Sequence, residues 1–313
     1  MSISEEYRIE AFGLHHFPAM NILFASAFNL ILDEPSFIKR FNTQSLGAAV
    51  VGFIAFHKAT NVPAAYYGVF PVKVLMDGKI ILTAQSGDTM THAAHRKKGL
   101  FIFLAQQTIK ACSKKGFSFI FGQPNESSRH GFLKNLGFHA LDNVVRWDLK
   151  LSIKTFPLPK LLMPRRKQLY LSYAKKVLKK WMVSPPKGFL NPLQQKGMII
   201  LRDENYLDYK QDPQKFFIKI NGVFIWIKLT DVFWIGDFSN YEMVAKSLLK
   251  RLKKLAFWLG YNTIVFNVKR EKEPPAFLQY FKPYSEENSI IFYLDEDCKT
   301  HDLKITAADF DTW

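Results

Sequence analysis

Residues 96–99, Arg-Lys-Lys-Gly, combine three adjacent cations with a glycine, which is the chemistry of an anion-binding turn. Lysine and arginine neutralise phosphate charge, and Gly99 lets the backbone approach a ligand without a Cβ in the way. A helix-periodic segment starts directly afterwards at Leu100. The first amide groups of a helix lack intrahelical acceptors, and the helix dipole favours negative charge beside them. The spacing therefore predicts a pyrophosphate site at residues 96–101.

The segments around this turn have the patterns that would hold it in place. Residues 48–56, 64–74 and 79–85 are predicted strands, and Asp77-Gly78 joins the last two as a hairpin. The helix after the turn ends where Gly116 occupies the C′ position. A short buried strand, a short helix opened by Asn125 and a strand begun by Gly137-Phe138 follow. The apolar face of the first helix is Phe101, Leu104, Ala105, Thr108, Ile109 and Cys112.

These segments resemble the GNAT acyltransferases, whose cofactor motif is written Arg/Gln-x-x-Gly-x-Gly/Ala. The motif here reads Arg96-Lys97-Lys98-Gly99-Leu100-Phe101, with Phe101 in place of a small residue. The preceding stretch, residues 91–96, loosely matches the lead-in Val-His-Pro-x-Tyr-Arg. The resemblance covers about residues 20–150. It implies an α/β (α+β) fold with a mixed sheet flanked by helices.

The resemblance also implies acyl-CoA, and specifically acetyl-CoA, as the cofactor. Its pyrophosphate would lie on Arg96, Lys97, Lys98, Gly99, Leu100 and Phe101. Its pantetheine arm would run along Met90 and Thr91 like an added strand, and Asn125 would also touch the cofactor. The phosphate-binding patterns of P-loop and dinucleotide-binding proteins are missing from the sequence.

The reaction implied by the resemblance is direct acyl transfer to an amine, which must lose a proton before it attacks. Many GNAT enzymes use a Glu on the motif strand, where this chain has Gln85, a residue that orients a water but does not act as a base. Many also use a Tyr where this chain has Leu133. Glu126 and His130, spaced i and i+4 on a short helix, are the candidate replacements, with exposed surface residues as the alternative interpretation. No His, Cys and Asp cluster has a recognisable metal-ligand spacing.

Three segments are predicted along the chain of 313 residues. Residues 1–150 form the GNAT domain that carries the motif, and residues 151–197 form a basic, proline-punctuated helical connector. Residues 198–313 repeat the later strand and helix order and resemble a second, degenerate GNAT domain. A helix predicted from about residue 239 to residue 260 has no Arg-x-x-Gly before it, so this copy is expected to bind no acyl-CoA.

Positive charge is concentrated in the connector, because residues 151–202 contain 12 Lys and Arg and no Asp or Glu. A helix predicted over residues 165–182 has an aromatic face and a lysine face. Two interpretations stay open: the helix packs against the domains, or it lies on a membrane surface. No nucleic-acid-binding pattern is present, so nucleic acid is not an expected partner. The aromatic face is Tyr170, Tyr173, Ala174, Val177, Leu178 and Trp181.

The resulting hypothesis is a bacterial N-acetyltransferase with a small-molecule amine acceptor, such as an amino sugar of cell-surface polysaccharide assembly. The alternative is a GNAT-fold protein of weak or no activity that binds membranes or polyanions through the connector. Two distant cysteines, Cys112 and Cys298, and an acidic N-terminus without an apolar signal segment indicate a cytoplasmic protein. The oligomeric state stays open.

Overall fold

The computed structural model describes residues 3–151, 167–186 and 197–310, which divide into two compact units. Unit 1 comprises Met1–Leu141 and Asn288–Asp302, and unit 2 comprises Asp142–Glu287 and Leu303–Trp313. The units therefore interleave along the chain, whereas the predicted domains follow each other in sequence order. Residues 142–150 count with unit 2 because their strand pairs with residues 263–269 of that unit.

Unit 1 is built on a mixed sheet with strands in the order β1-β2-β3-β4-β5. Neighbouring strands are antiparallel except β4 and β5, which are parallel, and residues 290–293 of a later strand pair antiparallel with β5. The strands are β1 (Tyr7–Ala11), β2 (Val51–His57), β3 (Pro63–Met76), β4 (Lys79–Thr91) and β5 (Phe119–Gly122), and the helices are α1 (Ile3–Glu6), α2 (Phe17–Phe28), α3 (Glu34–Phe41), α4 (Leu100–Lys114) and α5 (Glu126–His130).

The helices of unit 1 contribute to two separate apolar clusters against the sheet. The apolar stripe of α4, including Leu104 and Cys112, packs with β2 to β5 in one cluster. Met20 of α2 and Phe37 of α3 lie in the other. The β3–β4 hairpin closes through Asp77 and Gly78, whose φ angles of 48° and 79° match the predicted two-residue turn. The predicted mixed sheet flanked by helices is thus confirmed.

Within unit 2 the strands follow the order β6-β11-β10-β9-β8 and are of mixed direction. Strands β10 and β11 are parallel, and the other neighbours are antiparallel. The elements that lie wholly or partly in unit 2 are β6 (His139–Lys150), α6 (Lys167–Leu178), β7 (Met198–Ile200), α7 (Glu204–Tyr209), β8 (Lys215–Ile220), β9 (Val223–Leu229), β10 (Phe233–Phe238), α8 (Lys246–Trp258), β11 (Thr263–Lys269), β12 (Lys282–Tyr293) and β13 (Leu303–Lys304).

Helix α8 begins at Lys246, seven residues after the predicted start near residue 239. The reason is local hydrogen bonding at Asn240, whose side-chain oxygen accepts from the backbone N–H groups of Glu242 and Met243 at 2.9 and 3.2 Å. Such bonds hold the backbone in a turn in competition with a helix. Apolar periodicity alone does not reveal this competition.

Helix α6 falls within the predicted connector helix at residues 165–182, of which residues 165 and 166 lie outside the described residues. Its apolar face packs into the core of unit 2, where Tyr170 is buried and Trp181 is partly buried. The Tyr170 hydroxyl donates to the Leu259 carbonyl at 3.2 Å and to the Tyr261 hydroxyl at 2.9 Å. The lysines 175, 176, 179 and 180 are exposed. In the described part of the chain, no helix is both long and apolar enough to span a membrane.

This packing predicts opposite results for the two faces of α6. Tyr170→Phe should lower the free energy of unfolding by about 1–2 kcal/mol, because buried hydrogen-bond partners lose their donor. Replacing the four lysines by Gln should change it by less than about 0.5 kcal/mol, as for ordinary surface positions. Urea titrations measure both. Lysine-dependent co-sedimentation with anionic vesicles, combined with an unchanged stability of Tyr170→Phe, would instead support the membrane interpretation.

Candidate active site

Strand β4 contains a β-bulge near its end. Tyr66 pairs with Met90 and Gly68 pairs with Gly87, so that two residues of β4, Asp88 and Thr89, stand opposite a single residue of β3. Asp88 has a φ of 52°, and its carboxylate accepts hydrogen bonds of 2.5 and 2.6 Å from the guanidinium of Arg40. Bulges bend a strand and re-aim its side chains, often beside active sites.

Strands β4 and β5 diverge just before this bulge. Their parallel pairing comprises Ala84 with Ile120 and Gln85 with Phe121. Strand β4 then continues to Thr91, whereas β5 ends at Gly122. A Cβ on Gly122 would lie 3.2 Å from the Cβ of Ser86, so glycine permits the close approach at the point of divergence. The last residues of β4 thus extend past β5 and leave an edge to which an extended ligand can add.

The basic turn follows directly and is exposed at all four residues from Arg96 to Gly99. Arg96 is extended, and Lys97 and Gly99 have left-handed φ angles of 63° and 76°. Gly99 is the N-cap of α4, and its carbonyl accepts from the Phe103 amide at 3.1 Å. The amides at the first positions of α4 have no acceptor within the helix by its geometry, so this end has the features of an anion site.

One cation of the turn already has an anionic partner. Lys98 donates to the carboxylate of Glu6, and this hydrogen bond lowers the pKa of Glu6 and raises the pKa of Lys98. The Lys98 ammonium also lies 5.8 Å from the centre of the Tyr7 ring. Arg96 and Lys97, by contrast, make no ion pair with any residue that the structure describes. These two side chains are therefore the available cations of the turn.

A histidine stands immediately before the turn. The Nδ1 atom of His95 lies 2.9 Å from the Tyr7 hydroxyl, and the His57 ring is 5.1 Å away between centroids. Burial, followed by the nearby His57 and Lys98, lowers the pKa of His95. A neutral His95 adds no charge to the turn at neutral pH.

Phe101 occupies the motif position at which the family has a small residue, and its ring has room here. A Cβ on Gly131 would lie 2.6 Å from the ring, so the absence of a side chain there accommodates it. The ring also packs at 5.0 Å from Phe132 and 5.9 Å from Tyr67. Leu100 beside it is buried in the same apolar cluster. The departure from the motif is thus a packing feature of unit 1.

The remaining predicted cofactor contacts lie on β4 and at the start of α5. The side chain of Met90 is buried against α2 and α3, so only its backbone faces the strand edge, and Thr91 is half-buried. Asn125 is the N-cap of α5, where its side-chain oxygen accepts from the Ser128 amide at 3.0 Å and from the Ser127 hydroxyl at 2.7 Å. Its amide nitrogen carries the donors that are not used by this cap.

The three predicted catalytic residues are divided between the sheet and the surface. Gln85 is 3% exposed in the middle of β4, where it forms the last pair with β5, opposite Phe121. Glu126 and His130 lie at the first and last positions of α5 and are both exposed. Gln85 is therefore enclosed in the sheet, whereas Glu126 and His130 are open to solvent.

Sequence reasoning missed two polar side chains, one directly after β5 and one on α5. The side-chain nitrogen and oxygen of Gln123 and the Nε of Arg129 are buried without a hydrogen-bond partner among the described residues. Leaving such groups unpaired costs roughly 1–3 kcal/mol each, so they are candidates for pairing with a ligand. Only the position of Gln123 directly after the predicted strand could have indicated it.

Comparison with known proteins agrees with this geometry. Residues 51–141 match the family model described as an acetyltransferase (GNAT) domain, and they include the bulge, the parting strands and the basic turn. This segment therefore has the sequence pattern of a GNAT domain. No curated protein matches the sequence.

Solved structures extend the likeness in fold to nearly the whole chain. A protein from Enterococcus faecalis V583, described as a probable N-acyltransferase, is 11% identical with a TM-score of 0.62, over 92% of this chain and 73% of that one. A GCN5-related N-acetyltransferase from Kribbella flavida is 10% identical with a TM-score of 0.57, over 93% and 71%. Another from Anabaena variabilis is 10% identical with a TM-score of 0.55, over 92% and 73%. At these identities the similarity concerns the fold.

Proposed function

We propose that this protein is an N-acyltransferase that moves an acetyl or short acyl group from acyl-CoA to an amine of a small molecule. The observation that carries the proposal is the continuation of β4 past the end of β5 and into a basic glycine turn at the N-terminus of α4. A strand edge followed by an anion site suits a ligand with an amide-containing arm and a pyrophosphate. The GNAT family match over residues 51–141 supports it.

Acyl-CoA supplies an activated thioester carbonyl, and the chain's own residues would bind and orient it. The backbone of Met90 and Thr91 would pair with the pantetheine arm. Arg96, Lys97 and the first amides of α4, at Leu100 and Phe101, would hold the pyrophosphate. Lys98 would join them by leaving Glu6, and Gly99 keeps the approach open, since the nearest atom to a Cβ there is Ile3 Cδ1 at 3.6 Å.

The unpaired polar groups after β5 fit the same ligand. Gln123 offers an amide donor and an amide acceptor at the end of the strand that parts from β4. We propose that it hydrogen-bonds the pantetheine arm, with the amide nitrogen of Asn125 as a second contact. A bound ligand would then satisfy groups that are otherwise buried at a cost.

Deprotonation of the acceptor is assigned to the exposed pair on α5. Glu126 and His130 are the proposed proton acceptors, and Gln85 is proposed to orient a water at the point where the strands diverge. Both α5 residues are open to solvent, so water can partly replace them. Their contribution to the rate should therefore lie at the lower end of the range for general base catalysis.

The double variant Glu126→Gln, His130→Gln should accordingly lower kcat about a hundredfold, with little change in the KM for acetyl-CoA. The measurement is thiol release from acetyl-CoA with a panel of amines that includes hexosamines, polyamines and aminoglycosides. The matched control is the double variant Glu34→Gln, His139→Gln, in which both replaced residues are also exposed. An unchanged kcat in the double variant would remove both residues from the mechanism and leave the cofactor site intact.

Unit 2 is proposed as a degenerate GNAT-like copy that binds no cofactor. The corresponding helix, α8, starts after Ala245 without a glycine or a basic triplet before it. The alternative function is membrane or polyanion binding through the connector. The aromatic face of α6 packs into the core of unit 2, so only the exposed lysine face of this helix would be available for such binding.

A further inference from the structure

Glu10, His15 and His16 bring three metal-ligand atoms together in unit 1, away from the turn at residues 96–99. Their donor atoms all lie within 4.8 Å of one another, and no other set of three His, Cys, Asp or Glu in the described chain meets this criterion. Glu10 lies on β1, and the histidines end a short 3-10 turn just before α2. The sequence shows no recognisable metal-ligand spacing, because these ligands come from two elements. Folding brings a glutamate of a strand beside two adjacent histidines.

The side chain of His16 is buried and held in position by its neighbours. It is 5% exposed, its ring stacks on Phe12 at 6.1 Å, and its Nε2 lies 2.9 Å from the Glu10 carboxylate. Its Nδ1 has two backbone partners on Gly13, the amide at 3.1 Å and the carbonyl at 3.3 Å. Because the Gly13 amide donates to Nδ1, Nε2 carries the proton in the metal-free protein and donates it to the Glu10 carboxylate. A metal on Nε2 would take the place of that proton, which would move to Nδ1 and face the Gly13 carbonyl, the usual outer partner of a metal-binding histidine.

His15 is held next to this pair by a glycine. A Cβ on Gly13 would lie 2.8 Å from both Cε1 and Nδ1 of the His15 ring, so only glycine permits the ring position. The two imidazole rings are 4.0 Å apart between centroids. His15 is exposed, and its ring can turn toward the pair when a ligand draws it in.

From these contacts we propose that Glu10, His15 and His16 bind one divalent transition metal ion, with zinc as the best match. Two imidazoles and one carboxylate form a known zinc ligand set that leaves a fourth position for water. Bonds of 2.0–2.1 Å in a tetrahedron place ligand atoms roughly 3.3 Å apart, close to the 2.9 Å pair already present. Binding would tie the end of β1 to the start of α2.

Arg8 opposes this binding because its guanidinium forms an ion pair with the Glu10 carboxylate. The same side chain also donates to the Asn61 side chain at 2.8 Å and stacks over Phe56 at 4.7 Å. These two contacts would retain Arg8 when a metal takes the carboxylate.

The test is direct titration of the full chain with Zn²⁺ by calorimetry, and with Co²⁺ by visible absorption, in the absence of acyl-CoA. We expect one ion per chain and the intense bands of tetrahedral Co²⁺. His15→Ala and Glu10→Gln should each lose roughly 10- to 100-fold in affinity, a loss that even outer-shell changes produce. Arg8→Gln should bind more tightly. His139→Ala, another exposed histidine of unit 1, is the control and should bind as the parent does.

His15→Ala is the decisive variant, because His15 is exposed, whereas His16→Ala opens a buried site and can unfold the region. Circular dichroism and the thermal midpoint of the metal-free variants verify that His15→Ala and Glu10→Gln are folded. Zn²⁺ affinity that is equal in His15→Ala and the parent would overturn the proposal. Weak Co²⁺ bands typical of octahedral surface binding would do the same. The experiment is independent of acyl transfer, so a failed acyltransferase assay does not affect it.

Discussion

Gly99→Asp should abolish the stabilisation of this protein by acetyl-CoA. At a ligand concentration about a hundredfold above the dissociation constant, the parent should gain roughly 2.7 kcal/mol of unfolding free energy. The variant places a carboxylate at the N-cap of α4, where the pyrophosphate would lie, and it repels that ligand. It also offers Lys97 and Lys98 an internal anion, as Glu6 already does for Lys98. Thermal shift measurements with and without acetyl-CoA follow the effect.

The matched control for this variant is Gly78→Asp. Gly78 has a φ of 79°, close to the 76° of Gly99, and nothing lies within 4 Å of a Cβ at that position. Both substitutions therefore strain a left-handed residue by about 1 kcal/mol and add the same charge. Only Gly99→Asp should lose the acetyl-CoA shift. If both variants retain it, the turn is not the pyrophosphate site.

The turn and its helix could be predicted from sequence because their signals are local. A basic stretch, a glycine and an apolar period of 3.6 all lie within 20 residues, and α4 begins at the predicted Leu100. The Asn221-Gly222 turn between β8 and β9 is equally local, since the two residues adopt left-handed φ angles of 51° and 84°. Short-range backbone preferences decide such features.

The parting of β4 from β5 could not be predicted, because it depends on strand partners distant in sequence. The bulge at Asp88 rests on Arg40, which lies 48 residues away on α3. The predicted strand stopped at Gln85, where the apolar run ends, whereas the chain continues as β4 to Thr91 through its pairing with β3. Polar residues at the end of a strand predict a loop when only the sequence is considered, because strand preference depends on the partner strand.

The pairing of residues 144–150 with β11 could not be predicted for the same reason. The sequence placed a domain boundary at residue 150, where the proline-punctuated segment begins, and no local signal marks the change of unit near residue 142. Fragments cut at residue 150 would also lack residues 288–302 of unit 1. Tests of cofactor binding therefore belong on the full chain.

Removal of Arg202 should produce the largest loss of stability. This guanidinium is fully buried in unit 2 and donates to Asp237 at 2.6 Å, to Asp309 at 2.7 and 2.9 Å and to Thr306 at 2.9 Å. Removing one partner of a buried ion pair leaves an uncompensated charge and costs about 3–5 kcal/mol. We expect that loss for Arg202→Met in urea titrations at pH 7. Arg251→Met, on the exposed face of α8, should stay within about 0.5 kcal/mol of the parent.

The loss in Arg202→Met should depend on pH in a direction that identifies its cause. Two carboxylates share one cation here, and burial raises the pKa of Asp237 from 3.8 to about 6 against the opposing effect of Arg202. A carboxyl whose pKa is raised in the folded protein contributes stability below pH 4 and loses it as pH rises through 6. Without Arg202 the carboxyl pKa values rise further, so acidification from pH 7 to pH 5 should recover part of the lost stability.

Asp237→Asn separates this effect from lost packing. It removes one of the two carboxylates and leaves Arg202 paired with Asp309. The decline of stability that Asp237 causes in the parent between pH 4 and pH 6 should therefore be absent from this variant. A merely structural cavity at Arg202→Met would cost the same at every pH, because transfer and cavity terms do not titrate. Equal losses at pH 5 and pH 7 would therefore contradict a charge-based role for Arg202. Recovery at pH 5 would assign the role to its charge, which holds two buried acids together.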